Sequence, residues 1–220
     1  MVKKIICIVP ARSGSKRIKN KNIIKFKSTT LIDFICKKIQ SSKLINHFFI
    51  ATDKKKIFDS IKNKKKFLFY KRSKNSATDR SKTEKVILEL LKKTKTTCNI
   101  IILVQLTNPF LNYKILDNAI KKFLKGKYDS MLSVTATNKF LWHKQKITKP
   151  INYDYKNRKM TQNLKEYLIE NGSFYIFNYK SFLKSKNRLH GKIGYYLMPK
   201  ASQFEIDDHD DLKIIKRLIK

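Results

Sequence analysis

Short apolar runs alternate with segments of helical period along most of the chain. Runs of strand length and apolar composition lie at residues 4–9, 47–52, 67–70, 99–105, 129–135, 173–178 and 194–198. Segments that predict helices lie between and after them, at residues 30–41, 54–62, 83–92, 113–124, 179–185 and 210–219. This alternation predicts an α/β fold of three layers, in which helices flank a mostly parallel sheet.

One stretch, residues 136–168, interrupts this alternation. It is polar, it is rich in Lys, Asn and Gln, and it shows little periodicity. We interpret it as a small excursion from a single domain that spans residues 1–220, because a chain of 220 residues fits one domain.

The composition excludes several classes of protein. A hydrophobic content of 41% provides enough apolar side chains for a sizeable core. Cys7, Cys36 and Cys98 lie far apart, so they form neither a disulfide framework nor a zinc knuckle, and they fit a reducing, cytoplasmic setting. No run approaches the roughly 20 apolar residues that cross a bilayer. We therefore expect a cytoplasmic protein with no membrane segment.

The net charge of +35 raises nucleic-acid binding as a hypothesis. However, only seven of the 51 basic residues are arginine, and the lysines are spread along the whole chain. Surfaces that read bases or clamp phosphates favour the planar guanidinium group over the ammonium group. We therefore interpret the charge mainly as a solvated surface, which remains compatible with an anionic small-molecule substrate.

The loop after the first strand, residues 11–22, carries the most informative pattern. It combines Gly14 with a high density of cations, and ligands of open α/β sheets bind outside the carboxyl ends of the strands. The sequence contains neither a GxxxxGK[ST] nor a GxGxxG motif. From charge alone, a polyphosphate site and a merely solvated basic loop both remain open.

The whole string P-A-R-x-G-S-K-x-I-x-x-K-N, residues 10–22, resembles the signature of the acylneuraminate cytidylyltransferases, the CMP-sialic acid synthetases. The resemblance implies a Rossmann-like nucleotidyltransferase fold whose first loop wraps the triphosphate of CTP. It implies that Arg12 and Lys21 contact phosphates and that Ala11 and Asn22 lie against the nucleotide. Ser15 and Lys16, in the same loop, complete this part of the expected nucleotide site.

Further stretches match the family in order along nearly the entire chain. They are I-A-T-D at 50–53, Arg72 with S-A-T-D-R-S at 76–81, Q-L-T-N-P-F at 105–110, Q-N-L at 162–164 with N-G-S-F-Y at 171–175, and F-E-I-D at 204–207. The resemblance implies that Arg72 and Ser81 face the cytosine and ribose. The residues that it implies for the acyl-sugar acceptor are Gln105, Thr107, Asn108, Gln162 and Tyr175.

The chain departs from the family pattern in the sugar half of the site. Thr161 stands where an arginine usually precedes the Q-D-L run, with Arg158 nearby as a substitute, and Leu111 stands where the family has a further basic residue. Glu205 replaces the first carboxylate of D-I-D. These changes bear on the identity of the sugar more than on the use of CTP.

Two carboxylates near the C-terminus suggest a metal site. Glu205 and Asp207 are two residues apart on an extended segment, so their side chains share a face. Mg²⁺ prefers oxygen ligands and is usually held by one or two carboxylates and substrate phosphates. For an isolated cluster the alternative is a helix N-cap, since Asp207, Asp208 and Asp210 precede the last helix. The family pattern favours Asp207, and less firmly Glu205, as metal ligands.

The resemblance therefore implies an enzyme that transfers CMP from CTP to the anomeric hydroxyl of a sialic-acid-like, nonulosonic sugar acid and releases pyrophosphate. We expect Lys21, Arg12 and Asp207 to carry the reaction with Mg²⁺. The resemblance also implies a homodimer in which residues 136–168 reach towards the partner. The alternatives are another sugar nucleotidyltransferase of the same fold and, from a different class, a basic nucleic-acid-binding module.

Overall fold

The computed structural model describes residues 3–219, and it forms one main sheet between two layers of helices. The strands are β1 (Ile5–Pro10), β2 (Lys25–Phe26), β3 (Thr29–Thr30), β4 (His47–Thr52), β5 (Phe67–Lys71), β6 (Ile100–Val104), β7 (Ser130–Thr137), β8 (Tyr167–Asn178) and β9 (Ile193–Leu197). The helices are α1 (Leu31–Ile39), α2 (Lys55–Asp59), α3 (Thr83–Lys93), α4 (Tyr113–Lys125), α5 (Tyr179–Ser185) and α6 (His209–Leu218). None of these helices is long and apolar enough to span a bilayer.

The main sheet has seven strands in the order β5-β4-β1-β6-β8-β7-β9, and β2 pairs with β3 in a separate two-stranded ribbon. The pairs β5–β4, β4–β1, β1–β6 and β7–β9 are parallel. Strand β8 runs antiparallel to both of its neighbours, β6 and β7. The predicted mostly parallel sheet is therefore confirmed, with β8 as the antiparallel member.

Both faces of the central strands β1 and β6 are buried, which explains their continuous apolar runs. On one face the side chains of Cys7, Val9 and Ile102 pack with α1, α4 and α6. On the other face Ile8 and Leu103 pack with α3 and with Phe182 of α5. The three predicted layers are confirmed. Cys7 is completely buried in this core, and the burial raises the pKa of its thiol.

The main difference from the predicted elements concerns β8, which begins at Tyr167 rather than at residue 173. Its first residues pair with the end of β7, so that Ala136 lies opposite Leu168 and Thr137 opposite Tyr167. The two ends of the predicted excursion therefore belong to strands. Between them, Trp142 forms an isolated bridge with Pro150, and Phe140 and Tyr153 stack with ring centroids 4.5 Å apart.

The topology places several loops at a single edge of the sheet. Strands β1, β4, β5 and β6 are mutually parallel neighbours, so the loops after Pro10, Thr52, Lys71 and Val104 lie side by side. Antiparallel β8 brings its N-terminal half to the same edge, where Phe174 lies opposite Val104. Ligands of open α/β sheets bind at this edge.

Candidate active site

The loop after β1 is held in place by bonds to its neighbours. The backbone N–H of Ala11 donates to the carbonyl oxygen of Ala51 at 2.8 Å, and that of Ser13 donates to Oδ1 of Asp53 at 2.8 Å. The Nδ2 group of Asn22 donates to the carbonyl oxygen of Arg12 at 2.7 Å. Within the loop Asn20, at φ 56°, takes the left-handed conformation, whereas Gly14 does not.

A cavity of about 530 Å³ lies between this loop and the loops after β5 and β6. It is lined by Arg12, Ser15, Lys16, Arg17, Lys21, Asn22, Arg72, Asp79, Ser81, Thr83, Gln105 and Thr107, together with Pro10 and Leu106. Nine of the residues proposed from the sequence are in this set. We call it the loop cavity. Its size is in the range of small-molecule sites, and its cations suit an anionic ligand.

Two cations of the loop share one carboxylate. The guanidinium group of Arg12 pairs with Oδ1 of Asp79, and Nζ of Lys16 lies 2.9 Å from Oδ2 of the same residue. The hydrogen bond from Lys16, together with the charge of Arg12, lowers the pKa of the Asp79 carboxyl group. Asp79 therefore neutralises part of the positive charge that would otherwise be available to the phosphates of a bound triphosphate.

Two other cations meet the segment that precedes α6. Nζ of Lys21 donates to the carbonyl oxygen of Ile206 at 2.8 Å and lies 3.5 Å from Oδ1 of Asp207. Arg17 donates to the same carboxylate oxygen at 2.9 Å. Burial lowers the pKa of Lys21, although the nearby Asp207 carboxylate opposes that shift. Lys21 is thus a half-buried cation that faces the loop cavity.

The acidic residues that precede and begin α6 do not all serve as helix caps. Asp208 caps α6 by accepting hydrogen bonds from the backbone N–H groups of Asp210 and Asp211, and Asp211 reciprocates in a capping box. The side chain of Asp207 takes no part in this cap and faces Arg17 and Lys21 instead. Helix capping therefore explains Asp208 and Asp211 and leaves the carboxylate of Asp207 for another role.

Arg72 and Ser81 form a polar wall of the loop cavity. Arg72 is 7% exposed and donates through Nη2 to the carbonyl oxygen of Ser76. Its Nε and the Oγ of Ser81 are buried without a hydrogen-bond partner among residues 3–219. Buried polar atoms without a partner are rare in native structures. A ligand with polar edges, such as a nucleotide base, would satisfy them.

Glu89 of α3 holds the segment that carries Arg72. Its carboxylate accepts hydrogen bonds from the Tyr70 hydroxyl at 2.9 Å, the Ser73 backbone N–H at 2.9 Å and the Ser73 hydroxyl at 2.8 Å. Burial by itself raises the pKa of Glu89, but hydrogen bonds from Ser76, Ser73, Tyr70 and Lys93 bring it down to about 2. This network fixes the turn in which Arg72 is buried.

Thr107 connects the loop after β6 with the acidic segment. Its hydroxyl donates to Oε2 of Glu205 at 3.0 Å, and its carbonyl oxygen accepts from the Ile206 backbone N–H at 2.7 Å. Burial raises the pKa of Glu205, the bond from Thr107 opposes this, and the charge of Asp207 adds to the increase. Gly172 lies against the Glu205 carboxylate at φ +57°, where a Cβ atom would collide with it. The left-handed backbone therefore favours glycine at this position, and a larger residue would displace the Glu205 carboxylate.

Glu205 and Asp207 present oxygen ligands next to the cations of the loop. Residues 3–219 contain no group of three or more His, Cys, Asp or Glu side chains arranged to hold a metal ion. A pair of carboxylates is nevertheless what Mg²⁺ uses when phosphates complete its coordination. The negative charge of Asp207 makes ionisation of Glu205 less favourable, and a bound cation would reduce this repulsion between the two carboxylates. The residues present fit Mg²⁺ bound together with a nucleotide.

Four of the proposed nucleotide- and sugar-contacting residues do not line the loop cavity, and the first three are Asn108, Gln162 and Ala11. Asn108 is fully buried, and its Nδ2 donates to the backbone carbonyl oxygens of Asn171 at 2.8 Å and Ser202 at 2.7 Å. Its role is structural, so the expectation that it binds substrate is wrong. Gln162 is exposed in a 3-10 turn of the excursion and does not line the loop cavity. Ala11 is fully buried beneath the loop.

Tyr175 lies in a second cavity, of about 770 Å³, rather than in the loop cavity. We call this the β8 cavity. Ser81 and Thr83 line both cavities, so the two are adjacent. The Tyr175 hydroxyl donates to Oε1 of Glu170, and the guanidinium group of Arg188 lies 4.8 Å from the centre of its ring. Tyr175 therefore lines the cavity beside the loop cavity and not the loop cavity itself. Strand β8 runs antiparallel to β6, so the chain has moved away from the carboxyl edge of the sheet when it reaches Tyr175.

Several charged site residues were not proposed from the sequence. Arg17 stands in the same basic loop as Lys21, so its position in the chain is a usable signal. Asp53 and Asp79 belong to matched stretches but had no assigned role. Arg188 and its partner Glu84 are 104 residues apart, and no local pattern indicates that they meet.

The sheet, the cation-lined loop at its carboxyl edge and the polar wall of the loop cavity define a nucleotide-binding enzyme of the α/β class. The family profile described as cytidylyltransferase matches residues 6–220, and the chain belongs to that family. It is thus a nucleotidyltransferase enzyme, and a nucleic-acid-binding module is not favoured.

Relatives with assigned names align with nearly the whole chain. The chain is 26% identical to a pseudaminic acid cytidylyltransferase of Campylobacter jejuni, over 99% of this chain and 97% of the relative. It is 26% identical to the post-translational flagellin modification protein B of Campylobacter coli, over 98% and 95%. It is 28% identical to an N-acylneuraminate cytidylyltransferase of Escherichia coli, over 96% of this chain but only 51% of that longer protein.

Solved structures share the fold at low sequence identity. A CMP:2-keto-3-deoxy-manno-octonic acid synthetase complexed with CTP aligns with a TM-score of 0.71 and 13% identity, over 98% of both chains. A 4-diphosphocytidyl-2C-methyl-D-erythritol synthase from Anaerococcus prevotii aligns with a TM-score of 0.69 and 13% identity, over 99% of this chain and 96% of that one. These similarities establish the Rossmann-like fold.

Proposed function

We propose that this enzyme transfers CMP from CTP to the anomeric hydroxyl of a nonulosonic sugar acid. The oxygen of that hydroxyl forms a bond to the α-phosphorus as its O–H bond breaks and the proton is released to solvent. The bond from that phosphorus to the bridging oxygen between the α- and β-phosphates breaks, and pyrophosphate leaves. Two curated relatives named above act on pseudaminic acid and on N-acylneuraminate, and a third is named CMP-N,N'-diacetyllegionaminic acid synthase, with 26% identity over 98% of this chain. All three names describe sugar acids of one chemical class.

The observation that carries the proposal is the loop cavity itself, whose lining combines cations with buried polar atoms that lack a hydrogen-bond partner among the described residues. Arg12, Lys16 and Lys21 supply the positive charge. Arg72 Nε and Ser81 Oγ are the unsatisfied polar atoms. A triphosphate would use the cations, and a cytosine with its ribose would use the polar atoms.

We assign the phosphates of CTP to Arg12 and Lys21, with Ser15 and Lys16 completing the loop around them. Transfer of this kind depends mainly on positioning and on stabilisation of charge. Lys21 is well suited to that task because the Ile206 carbonyl oxygen and Asp207 hold its ammonium group in place. Asn22 shapes the loop through its bond to the Arg12 carbonyl oxygen, while Ala11 supports the loop from beneath without lining the cavity.

The metal assigned to this site is Mg²⁺, held by Asp207 and Glu205. When bound, it supplies positive charge to the triphosphate and lowers the pKa of a coordinated hydroxyl group. The acceptor lies on the other side of the α-phosphate, within reach of Gln105, Thr107 and Tyr175. Gln105 and Thr107 line the loop cavity, and Tyr175 lines the adjacent β8 cavity.

We further propose a homodimer in which residues 136–168 contact the partner. Ile147, Ile151, Tyr155 and Met160 in this stretch expose 51–74% of their surface, and apolar groups exposed in this way mark interaction surfaces. In such a dimer Gln162 would act at the partner's site instead of its own. The three free cysteines fit the reducing cytoplasm, which we propose as the compartment.

A pyrophosphate-release assay tests the proposed reaction. The purified enzyme is supplied with CTP, Mg²⁺ and, in turn, N-acetylneuraminic, pseudaminic or N,N'-diacetyllegionaminic acid. We expect release with at least one acid, and formation of the matching CMP-sugar by mass spectrometry. UTP and ATP serve as controls. Turnover with UTP equal to that with CTP, or none with any acid, would contradict the proposal.

A further inference from the structure

The β8 cavity contains a guanidinium group that is held in a fixed orientation. Nε of Arg188 donates to Oε1 of Glu84 at 2.6 Å, and the guanidinium carbon lies 4.8 Å from the centre of the Tyr175 ring. Tyr175 is itself fixed by its hydroxyl bond to Glu170. Glu84 and Tyr175 together therefore set both the direction and the plane of the Arg188 side chain.

This arrangement leaves one edge of the guanidinium group for a ligand. Among residues 3–219 only Nε of Arg188 is engaged in a hydrogen bond, and its two terminal amino groups remain for other partners. Two parallel N–H groups match the two oxygens of a carboxylate. Because the side chain is already ordered, little conformational entropy is lost when such a ligand binds.

The acceptor of the proposed reaction carries a carboxylate that needs a cation. Two positions at which the family usually supplies arginine or another basic residue are Thr161 and Leu111 in this chain. Arg158, the nearest substitute in the sequence, packs on the ring of Phe140 at 4.3 Å within the excursion. Arg188 is the ordered guanidinium group of the cavity that adjoins the nucleotide site at Ser81 and Thr83.

We propose that Arg188 binds the carboxylate of the sugar acid through its two terminal amino groups, with Glu84 and Tyr175 as positioning residues. The inference rests on the proposed function. The other cations of the β8 cavity, Lys82 and Lys186, are exposed, and neither forms a salt bridge with the described residues. They add positive potential but lack the fixed geometry of a bidentate partner.

The test is the steady-state kinetics of Arg188→Ala and Arg188→Lys with the acid that the wild-type enzyme uses best. We expect Arg188→Ala to raise the KM for the acid at least about tenfold, while the KM for CTP stays within about twofold. Arg188→Lys keeps the charge and loses the fork, so its KM for the acid is expected to lie between those of the wild type and Arg188→Ala. Lys186→Ala, which removes a charge from the same cavity, is the matched control.

Each result bears on one of the two proposals. An unchanged KM for the acid in Arg188→Ala, or an equal increase in Lys186→Ala, overturns the role of Arg188 while the reaction itself stands. A wild-type enzyme that binds CTP in calorimetry but turns over no acid overturns the proposed function. If Arg188→Ala unfolds because Glu84 is left without its partner, Arg188→Lys decides, and a KM equal to that of the wild type overturns the inference.

Discussion

Lys21 and Asp207, 186 positions apart in the chain, lie with Nζ and Oδ1 3.5 Å from each other. The contact joins the loop after β1 to the segment before α6. Lys21 also donates to the Ile206 carbonyl oxygen, so the cation is held whether or not Asp207 turns towards a metal ion. A lining residue of the loop cavity is thus held by a segment close to the other end of the chain.

We expect Lys21→Ala to lower kcat by at least about 100-fold, because removal of a fixed donor to developing negative charge has an effect of this order. The measurement is pyrophosphate release at saturating CTP and acid. Lys19→Ala, in the same loop but outside the lining of the cavity, is the control and should retain wild-type activity. The assigned role of Lys21 is refuted if both variants, folded by circular dichroism, show the same rate.

We expect Asp79→Asn to bind CTP about three- to tenfold more tightly than the wild type, because Arg12 and Lys16 no longer share their charge with a carboxylate. Isothermal titration calorimetry in the presence of Mg²⁺ measures this change. Asp59→Asn, which releases the partner Lys64 and lies outside the lining of the loop cavity, is a control of equal charge. Weaker binding in Asp79→Asn would instead mean that Asp79 is needed to arrange the loop.

We expect Ser81→Ala to reduce the preference for CTP over UTP about tenfold, because Ser81 contributes one of the unsatisfied polar atoms that face the base. The ratio of kcat/KM values for the two nucleotides is the measurement. Ser73→Ala is a poor control because Ser73 organises the Arg72 turn, so Ser60→Ala, whose hydroxyl bonds only to Ile57, is used. An unchanged ratio removes Ser81 from base recognition.

The stability of the protein should fall in acid partly through Glu89. Its pKa in the folded state, about 2, is below the value of 4.5 for an unperturbed carboxyl group. The folded state therefore favours the charged form, and this stabilisation is present above about pH 4.5 and lost as the pH falls towards 2. Glu89→Gln should lower the free energy of unfolding at pH 7 by on the order of 2 kcal/mol. Urea titrations at pH 7 and pH 3 measure the difference, which should shrink at the lower pH.

Glu205 should behave in the opposite way. Its pKa is raised in the folded state, so ionisation at neutral pH costs stability. We expect Glu205→Gln to raise the melting temperature at pH 7, and the gain to vanish at pH values where the carboxyl group is protonated in both states. The same variant should need more Mg²⁺ for half-maximal activity. A lower melting temperature at pH 7 would contradict the pKa argument.

The sequence was sufficient for much of the architecture because its main signals are local. Strand β4 begins and ends where its apolar run does, and α4 extends only one residue beyond its predicted end. The full length of β8 was not predicted, because Tyr167 and Leu168 lie within the stretch that was interpreted as a polar excursion. In the structure these two residues pair with the end of β7. Pairing between distant strands is not encoded in either segment alone.

The same distinction applies to the site. A motif of adjacent residues is sufficient to indicate the loop with Arg12, Lys16 and Lys21, because the charges that act together are neighbours in the chain. Burial of Asn108, the position of Tyr175 in a second cavity and the meeting of Arg188 with Glu84 depend on how separate strands and helices pack. By itself the sequence determined the fold class and the position of the basic loop after β1. Only the tertiary structure decided which polar side chains line the two cavities and which bond to the backbone, because that depends on contacts between residues far apart in the chain.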